Sequence, residues 1–408
     1  MQTSHRILLL DLLRVAAVLL VMGHHLPPLE KALPAALQPA MLRWEFFGWC
    51  GVDLFFVLSG FLISGLLFRE YQRYGQIRVW RFLTRRGFKI YPPFYLMILA
   101  VIYIQASNAN YKALSHSHVL HEIFFLQNYR PGLIDHTWSL AVEEHFYLLL
   151  PAILFAMIWW NKGKKNAFRW LPLLCLFVFA GELAARLITA RFGPYTDRHN
   201  LFPTHLRLDS LLFGVFISYF YHFHNDTTMR FARRFRWVLL AAGLALIYPV
   251  CRMYVWDHFV FTYGLTFLYT GFGLILLGGL AFQLPTKGLL SLPLRALGFV
   301  GAHSYSIYLW HMPVKIWLPL YLYRWFGIMP SPVHDIWGYV IASFAIGIGM
   351  SLLVETPTLA LRDWLLPSRS KPLVEKGEEG SGLHTAAGDI SLQKRQNDGT
   401  PAPIAASQ

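Results

Sequence analysis

Four ionisable side chains, Asp11, Arg14, His24 and His25, stand inside an apolar stretch that runs from Leu8 to Leu26. Such groups are costly at membrane depth and are kept where they face a cavity, a partner or a reaction. At about 100° per helical residue, Arg14 and His25 return to within about 20° of each other, and Asp11 lies about 40° from His25. His24 points about 100° away from His25. One helix face therefore carries an acid, a guanidinium and an imidazole. A neutral imidazole takes a proton from an alcohol at ordinary pH, and a carboxylate or guanidinium beside it tunes that exchange. His25 is thus the candidate acid–base group. The competing reading is a ring that reaches from the helix end toward the interface.

Other apolar stretches bring further ionisable groups to the same side of a membrane. Asp53, His136, Glu143, Glu144, Glu182, Arg186, Arg207, Asp209 and His311 all fall near one end of their segments. Any one of them is explained by an ion pair or hydrogen bond between helices, and Glu182 and Arg186, four apart, are expected to pair with each other. Six segments placing polar groups near one depth predict a shared polar cavity. No HxxxH or HExxH pattern occurs within a span, so no metal is predicted, and the cluster of His116, His118 and His121 falls in an external loop.

A second constellation lies toward the opposite side, where Arg78, Arg81, Arg85, Arg86 and Lys89 precede Ile90, Tyr91 and Pro92. Arginine offers a planar fork of donors and lysine a point charge, so the cluster suits phosphates. It equally suits anionic lipid headgroups together with an inside-positive topology signal. A phosphate-bearing donor held at these cations, with its reactive end near a histidine on the far side, would move a group across the membrane.

The elements that must position these residues are membrane spans. Candidate spans are 7–26, 48–68, 88–106, 137–160, 169–188, 206–224, 237–254, 260–282, 297–320 and 337–357, each near the ~20 residues that cross a hydrocarbon core. With the N-terminus inside, loops 69–89, 161–169, 230–236 and 287–295 hold seventeen Lys and Arg, against seven in the longer loops outside. That asymmetry favours N-in and C-in. Trp44, Trp49, Trp138, Trp256 and Trp337 fall near the outer ends, as interfacial aromatics do.

Composition agrees. Of 408 residues, 55% are hydrophobic and only 14% charged, below the roughly 25% charged of a soluble domain. The formal charge of +14 sits mainly in short loops between apolar runs, which speaks for topology and not for nucleic acid. The first apolar run is too polar, and lacks the cleavage site, for a signal peptide. Cys50, Cys175 and Cys251 are widely spaced and read as small hydrophobes. From 367 on, Gly, Ser, Ala, Glu and Gln replace the apolar runs, and Lys371 to Gln408 hold no aromatic residue, which predicts a disordered cytoplasmic tail. The expected fold class is an all-α polytopic membrane protein of about ten spans, with 1–366 as the membrane domain and 367–408 as the tail.

Several segments resemble the membrane acyltransferase-3 family: LLDLLRVAAVLLVMGHH (9–25), GVDLFFVLSGFLISGLLFRE (51–70), RFLTRRGFKIYPPFY (81–95), HTWSLAVEEHFYLLLP (136–151), HLRLDSLLFG (205–214) and SYSIYLWHMPV (304–314). The resemblance covers most of the spans and implies an O-acyltransferase of a bacterial inner membrane. Its donor would be acyl-CoA, most simply acetyl-CoA, and its acceptor a hydroxyl of a glycan, lipid or other small molecule. The family's Arg-x10-His motif falls on Arg14 and His25, which implies that His25 is the essential histidine, as general base or as acyl carrier. Its Arg-x-x-Arg motif, associated with the donor, falls on Arg86 and Lys89 beside Arg85; the lysine departs from the pattern and loses the bidentate fork. Asp53, Glu143, Glu144 and Arg207 occupy further motif positions, and a carboxylate among the first three is expected to assist His25. Asp11, His136, Asp209 and His311 remain substrate or structural candidates. Many relatives carry a soluble hydrolase-like domain after the spans. Here only the tail follows, so acceptor selectivity is expected from the spans and external loops. A rival reading is a transporter of a glycan, lipid or proton that uses the same charges as a relay.

Overall fold

The computed structural model describes residues 2–27, 37–107, 115–162, 164, 166–285, 287–289, 291–327 and 332–367. The predicted tail from 368 on lies outside the described residues, as do residues 28–36 and 108–114. Among the described residues there is no strand. The helices are α1 (Gln2–His24), α2 (Gln38–Phe47), α3 (Gly51–Tyr74), α4 (Val79–Ala106), α5 (His116–Ile123), α6 (Trp138–Trp160), α7 (Leu171–Phe192), the single turn α8 (Asp197–Asn200), α9 (Leu208–Phe223), α10 (Asn225–Val250), α11 (Leu265–Gly279), α12 (Ser291–Ala302), α13 (Ser304–Phe326), α14 (Pro332–Met350) and α15 (Thr356–Leu365). π-helical turns, Val260–Gly264 and Ser351–Glu355, lead into α11 and α15.

The ten predicted segments fall on helical stretches, some of them shared by consecutive helices, and six helical segments are long and apolar enough to cross a membrane. The protein is thus an all-helical, multi-pass membrane protein. Three details differ from expectation. The segment predicted as one span, 297–320, is two helices, α12 and α13, that meet at His303. The basic stretch 230–236, expected as a loop, is helical within α10, with a break in helical geometry at Phe235. The segment 107–136, expected as an external loop, contains α5. In the two helical cases the apolar pattern marks where lipid or core is met, while helical hydrogen bonding simply continues past it into a polar stretch.

Glycines let the central helices meet backbone to backbone. A Cβ on Gly60 of α3 would lie 1.8 Å from the carbonyl oxygen of Leu211 on α9, and one on Gly214 would lie 2.1 Å from that of Val57. Gly51 faces the Ala17 carbonyl, Gly48 the Leu20 carbonyl, and Gly301 of α12 the Asp11 carbonyl. Helix α1 is therefore clamped between α3 and α12. Such close approach raises dispersion contact where lipid leaves no hydrophobic drive between helices.

This packing makes a prediction. Gly60→Val should cost about 3 kcal/mol, because the side chain meets backbone that cannot repack. The thermal unfolding midpoint of the detergent-solubilised protein should drop markedly. Gly349→Ala, at a site with nothing within 4 Å, should leave it unchanged.

Candidate active site

Two cavities lie along α1. The first, about 940 Å³ with its open mouth, is lined by Arg14 of α1, Arg86 and Lys89 of α4, Glu143 and Glu144 of α6, and Tyr305 and Tyr308 of α13. The second, about 880 Å³ likewise with its open mouth, is lined by His24 and His25, by His136, Trp138 and Arg207, by Asp135 and Asp197, and again by Tyr308. Below they are the basic cavity and the histidine cavity.

In the histidine cavity the end of α1 sets the ring of His25. Its Nδ1–H donates to the Val21 carbonyl one turn back, at 3.0 Å. The basic nitrogen is therefore Nε2. The same Nδ1 lies 3.4 Å from Nε2 of His311, whose own Nδ1–H donates to the Tyr308 carbonyl. His311 thus turns a lone pair toward the protonated nitrogen of His25 and helps fix which nitrogen is free. His136 stacks edge-on against His311, with ring centroids 5.0 Å apart. Its Nε2–H donates to the Leu309 carbonyl at 3.3 Å, and its buried Nδ1 has no protein partner. Trp49 Nε1 and Arg207 Nη1, also buried and unmatched, belong to residues on the same wall. His24 lines this cavity too, but its Nδ1–H is taken by the Glu45 carbonyl at 3.1 Å.

The loop ahead of α6 carries His136 and is held by one buried carboxylate. Glu122 of α5 accepts the Leu133 N–H at 2.9 Å and the Thr137 hydroxyl. Gln127 donates to the Thr137 carbonyl at 3.1 Å, and Asn128 to the Thr204 hydroxyl at 2.7 Å. Burial pushes the Glu122 carboxyl up to about 7.

The basic cavity holds the cations differently from one another. Arg86 donates to the Tyr147 hydroxyl at 2.6 Å, and its guanidinium sits 4.4 Å from that ring; its Nε is buried and unmatched. Tyr147 passes the contact on to Glu143 and receives Ser59. Lys89 reaches Glu355 at 3.6 Å, and Glu355 also accepts from Ser306 and Ser351. Glu144 accepts from Tyr91 at 3.2 Å, and Arg14 pairs with Asp11 one turn earlier.

Several expectations change here. Glu143 and Glu144 lie with the basic cavity, apart from the histidines. Asp53 is paired with Arg207 at 2.9 Å and accepts from Ser210 at 3.2 Å. Among the described residues no carboxylate is hydrogen-bonded to His25; His311 and Val21 fill that place. Glu182 and Arg186 do not pair through hydrogen bonds. Arg186 reaches Asp209 at 2.7 Å instead, and Glu182 accepts the backbone N–H of Asp209 at 2.9 Å, near the start of α9. There a carboxylate meets the positive helix end. The arginine cluster also divides: Arg85 binds Asp363 at 2.8 Å and the Leu366 carbonyl, and Arg81 binds the Pro367 carbonyl, so neither lines the basic cavity. Sequence reasoning passed over Glu355, Tyr147 and Tyr308. An acid in the last apolar run, Glu355, was a visible signal of the same kind as Asp53.

A family model for an acyltransferase domain, acyltransferase-3, matches residues 7–355. The chain belongs to the acyltransferase-3 family. Among curated proteins it is similar to the peptidoglycan O-acetyltransferase OatA of Listeria monocytogenes, with 28% identity over 75% of this chain and 49% of that protein. It resembles the O-acetyltransferase OatA of Staphylococcus aureus at 24% identity, over 72% of this chain and 50% of the relative. A putative peptidoglycan O-acetyltransferase of Bacillus subtilis, YrhL, matches at 27% identity, over 75% of this chain and 48% of its own. The chain thus spans about half the length of the curated relatives it matches. No solved structure matches. This acyltransferase-3 chain keeps its two cavities on opposite stretches of α1, with Arg14 at one and His25 at the other.

Two predictions follow from the buried groups. Asp53→Ala leaves the Arg207 charge unmatched and should destabilise the protein by about 3–5 kcal/mol. Asp53→Leu combined with Arg207→Met should recover most of that loss, read from thermal unfolding in detergent. For Glu122 the sign is set by its raised carboxyl. The folded protein gains from the neutral form, fully below about pH 4.5, and that gain falls away as pH rises to about 7. The stability difference between the natural protein and Glu122→Gln should shrink over that window and stay level above it.

Proposed function

We propose that this chain is an O-acyltransferase of the bacterial plasma membrane that carries an acyl group, most simply acetyl, from cytoplasmic acyl-CoA to a hydroxyl of a glycan. The observation that carries this reading is the pair of cavities along one helix, phosphate-type cations at one and a ring with a free basic nitrogen at the other. Ten spans with both termini inside would put the basic cavity toward the cytoplasm and the histidine cavity toward the outside. The excess of Lys and Arg in the loops assigned inside supports that orientation.

The donor's phosphates bind Arg86, whose unmatched Nε is available, and Lys89. The acceptor enters the histidine cavity. Unmatched Nδ1 of His136 offers an acceptor there, Trp49 and Arg207 offer donors, and Trp138 and Trp256 offer flat apolar faces. Alternating donors, acceptors and aromatic faces suit a sugar ring better than an alkyl alcohol. The printed names of the relatives, peptidoglycan O-acetyltransferases, support a glycan as well. His25 Nε2 takes the hydroxyl proton as the oxygen attacks the thioester carbonyl. The new C–O bond forms, the C–S bond breaks, and the proton returns to the departing thiolate. His311 acts through His25 by holding its Nδ1–H, the part the sequence assigned to a carboxylate. Arg14 offsets negative charge on the path between the cavities.

The test uses membranes containing the protein and acetyl-CoA labelled on the acetyl group. His25→Ala should lower transfer to envelope glycan about 10²–10⁴-fold, the usual contribution of a positioned base. Transfer at the natural rate by a stably inserted variant overturns the role. Lys89→Gln should raise the KM for acetyl-CoA about tenfold with little change in kcat, because the lost charge binds donor and transition state alike.

A further inference from the structure

Val52 of α3 and Tyr308 of α13 line both cavities. The cations assigned to the donor lie on one side of them and His25 on the other. On the acyl-transfer reading, a thioester carbon moving from Lys89 toward His25 goes past these two shared side chains. Both are packed nearly out of reach of solvent, Val52 at 9% exposure and Tyr308 at 6%.

Neither side of this passage can retreat cheaply. Val52 follows Gly51, and a Cβ on Gly51 would sit 2.5 Å from the Ala17 carbonyl, so α3 is seated directly on α1 here. Gly48, just before α3, is seated on the Leu20 carbonyl in the same way. On the other side the Tyr308 hydroxyl donates to the His136 carbonyl at 2.7 Å and receives the Ser139 hydroxyl at 2.6 Å. Phe55 packs edge-on against the Tyr308 ring, with centroids 5.8 Å apart. Backbone contact fixes one wall and two hydrogen bonds fix the other. The width between them is then a matter of side-chain volume.

We infer that Val52 and Tyr308 form an acyl-size filter, through which a short acyl group passes from the basic cavity and a long one does not. This rests on the acyl-transfer reading above. The filter is separate from recognition of the donor's phosphates, which lie at Arg86 and Lys89, and from the base, His25. It also gives Val52 a role beyond filling space at the helix start.

The test uses permeabilised cells expressing the full chain, with cells lacking it as the blank. They are supplied in turn with acetyl-CoA, butyryl-CoA and hexanoyl-CoA, and base-labile acyl groups on the envelope glycan are measured by mass spectrometry. The natural protein should favour acetyl. Val52→Ala should raise the hexanoyl-to-acetyl ratio about tenfold or more, the scale on which one or two methyl groups in a close-fitting pocket discriminate. Val52→Phe should cut acetyl transfer by about as much, while labelled acetyl-CoA binding to membranes stays within about twofold. A Val52→Ala protein present at natural levels with an unchanged ratio overturns the filter and leaves the acyl-transfer reading standing. No donor-dependent acyl groups from the natural protein overturns both. Should Val52→Phe fail to insert, the Val52→Ala ratio decides alone.

Discussion

An ion held between apolar helices without a partner costs several kcal/mol even after its surroundings relax, and the bundle around both cavities is arranged under that constraint. Asp53 on α3 meets Arg207 just before α9, and Arg186 on α7 meets Asp209 two residues later. One helix start therefore fastens α3 and α7 at once. Lys89 on α4 is matched by Glu355 on the π-helical turn ahead of α15, joining early and late parts of the chain. The extra residue of a π-helical turn rotates a side chain relative to its neighbours, and such turns recur at functional sites. Here that turn brings Glu355 against Ser306 and behind the cavity-lining Lys89. Because most of the charge is spoken for, the few atoms left unmatched stand out as places where a ligand would be held.

The parts of this arrangement that lie along one helix were legible in the residues alone. The angular relation of Arg14 to His25 is a property of helical geometry, and both line cavities along α1. Helix positions follow the apolar runs, because each run needs about the same length to cross a bilayer. What could not be read is how helices far apart in the chain meet. Glu182 and Arg186 share a helix face at a spacing that commonly pairs, yet a carboxylate from α9 comes closer to the guanidinium. Arg85 and Arg86 are adjacent in sequence, but successive residues on a helix face different ways. One turns to α15 and the other to Tyr147. The division of the 297–320 stretch at His303 was hidden because both halves are apolar.

The histidine cavity illustrates how an imidazole can be oriented without an ion beside it. A carboxylate at Nδ1 would stabilise the protonated ring, and would also add a charge that needs its own solvation. A backbone carbonyl and a neutral ring at that nitrogen fix the tautomer at lower electrostatic cost. The carboxylates of α6 are instead placed with the cations of the basic cavity, where charges of both signs offset each other. The carboxylates nearest the donor-type cations and the ring that takes the proton thus sit in different chambers, while Asp135, Asp197 and Arg207 line the histidine cavity without a hydrogen bond to His25.

Clamping α1 between α3 and α12 through carbonyl-to-glycine contacts has a consequence for the cell as well as for the chain. Alternating-access carriers expose a site to each side in turn by rocking one helical group against another. A helix fastened on two sides by backbone has little freedom to take part in such a movement. In the orientation proposed here, a fragment of a few atoms crosses while the polypeptide around it stays put. The bulky remainder of the donor then meets Val52 and Tyr308, each packed nearly out of reach of solvent where the two cavities adjoin. On that reading each turnover needs no gate that opens and closes.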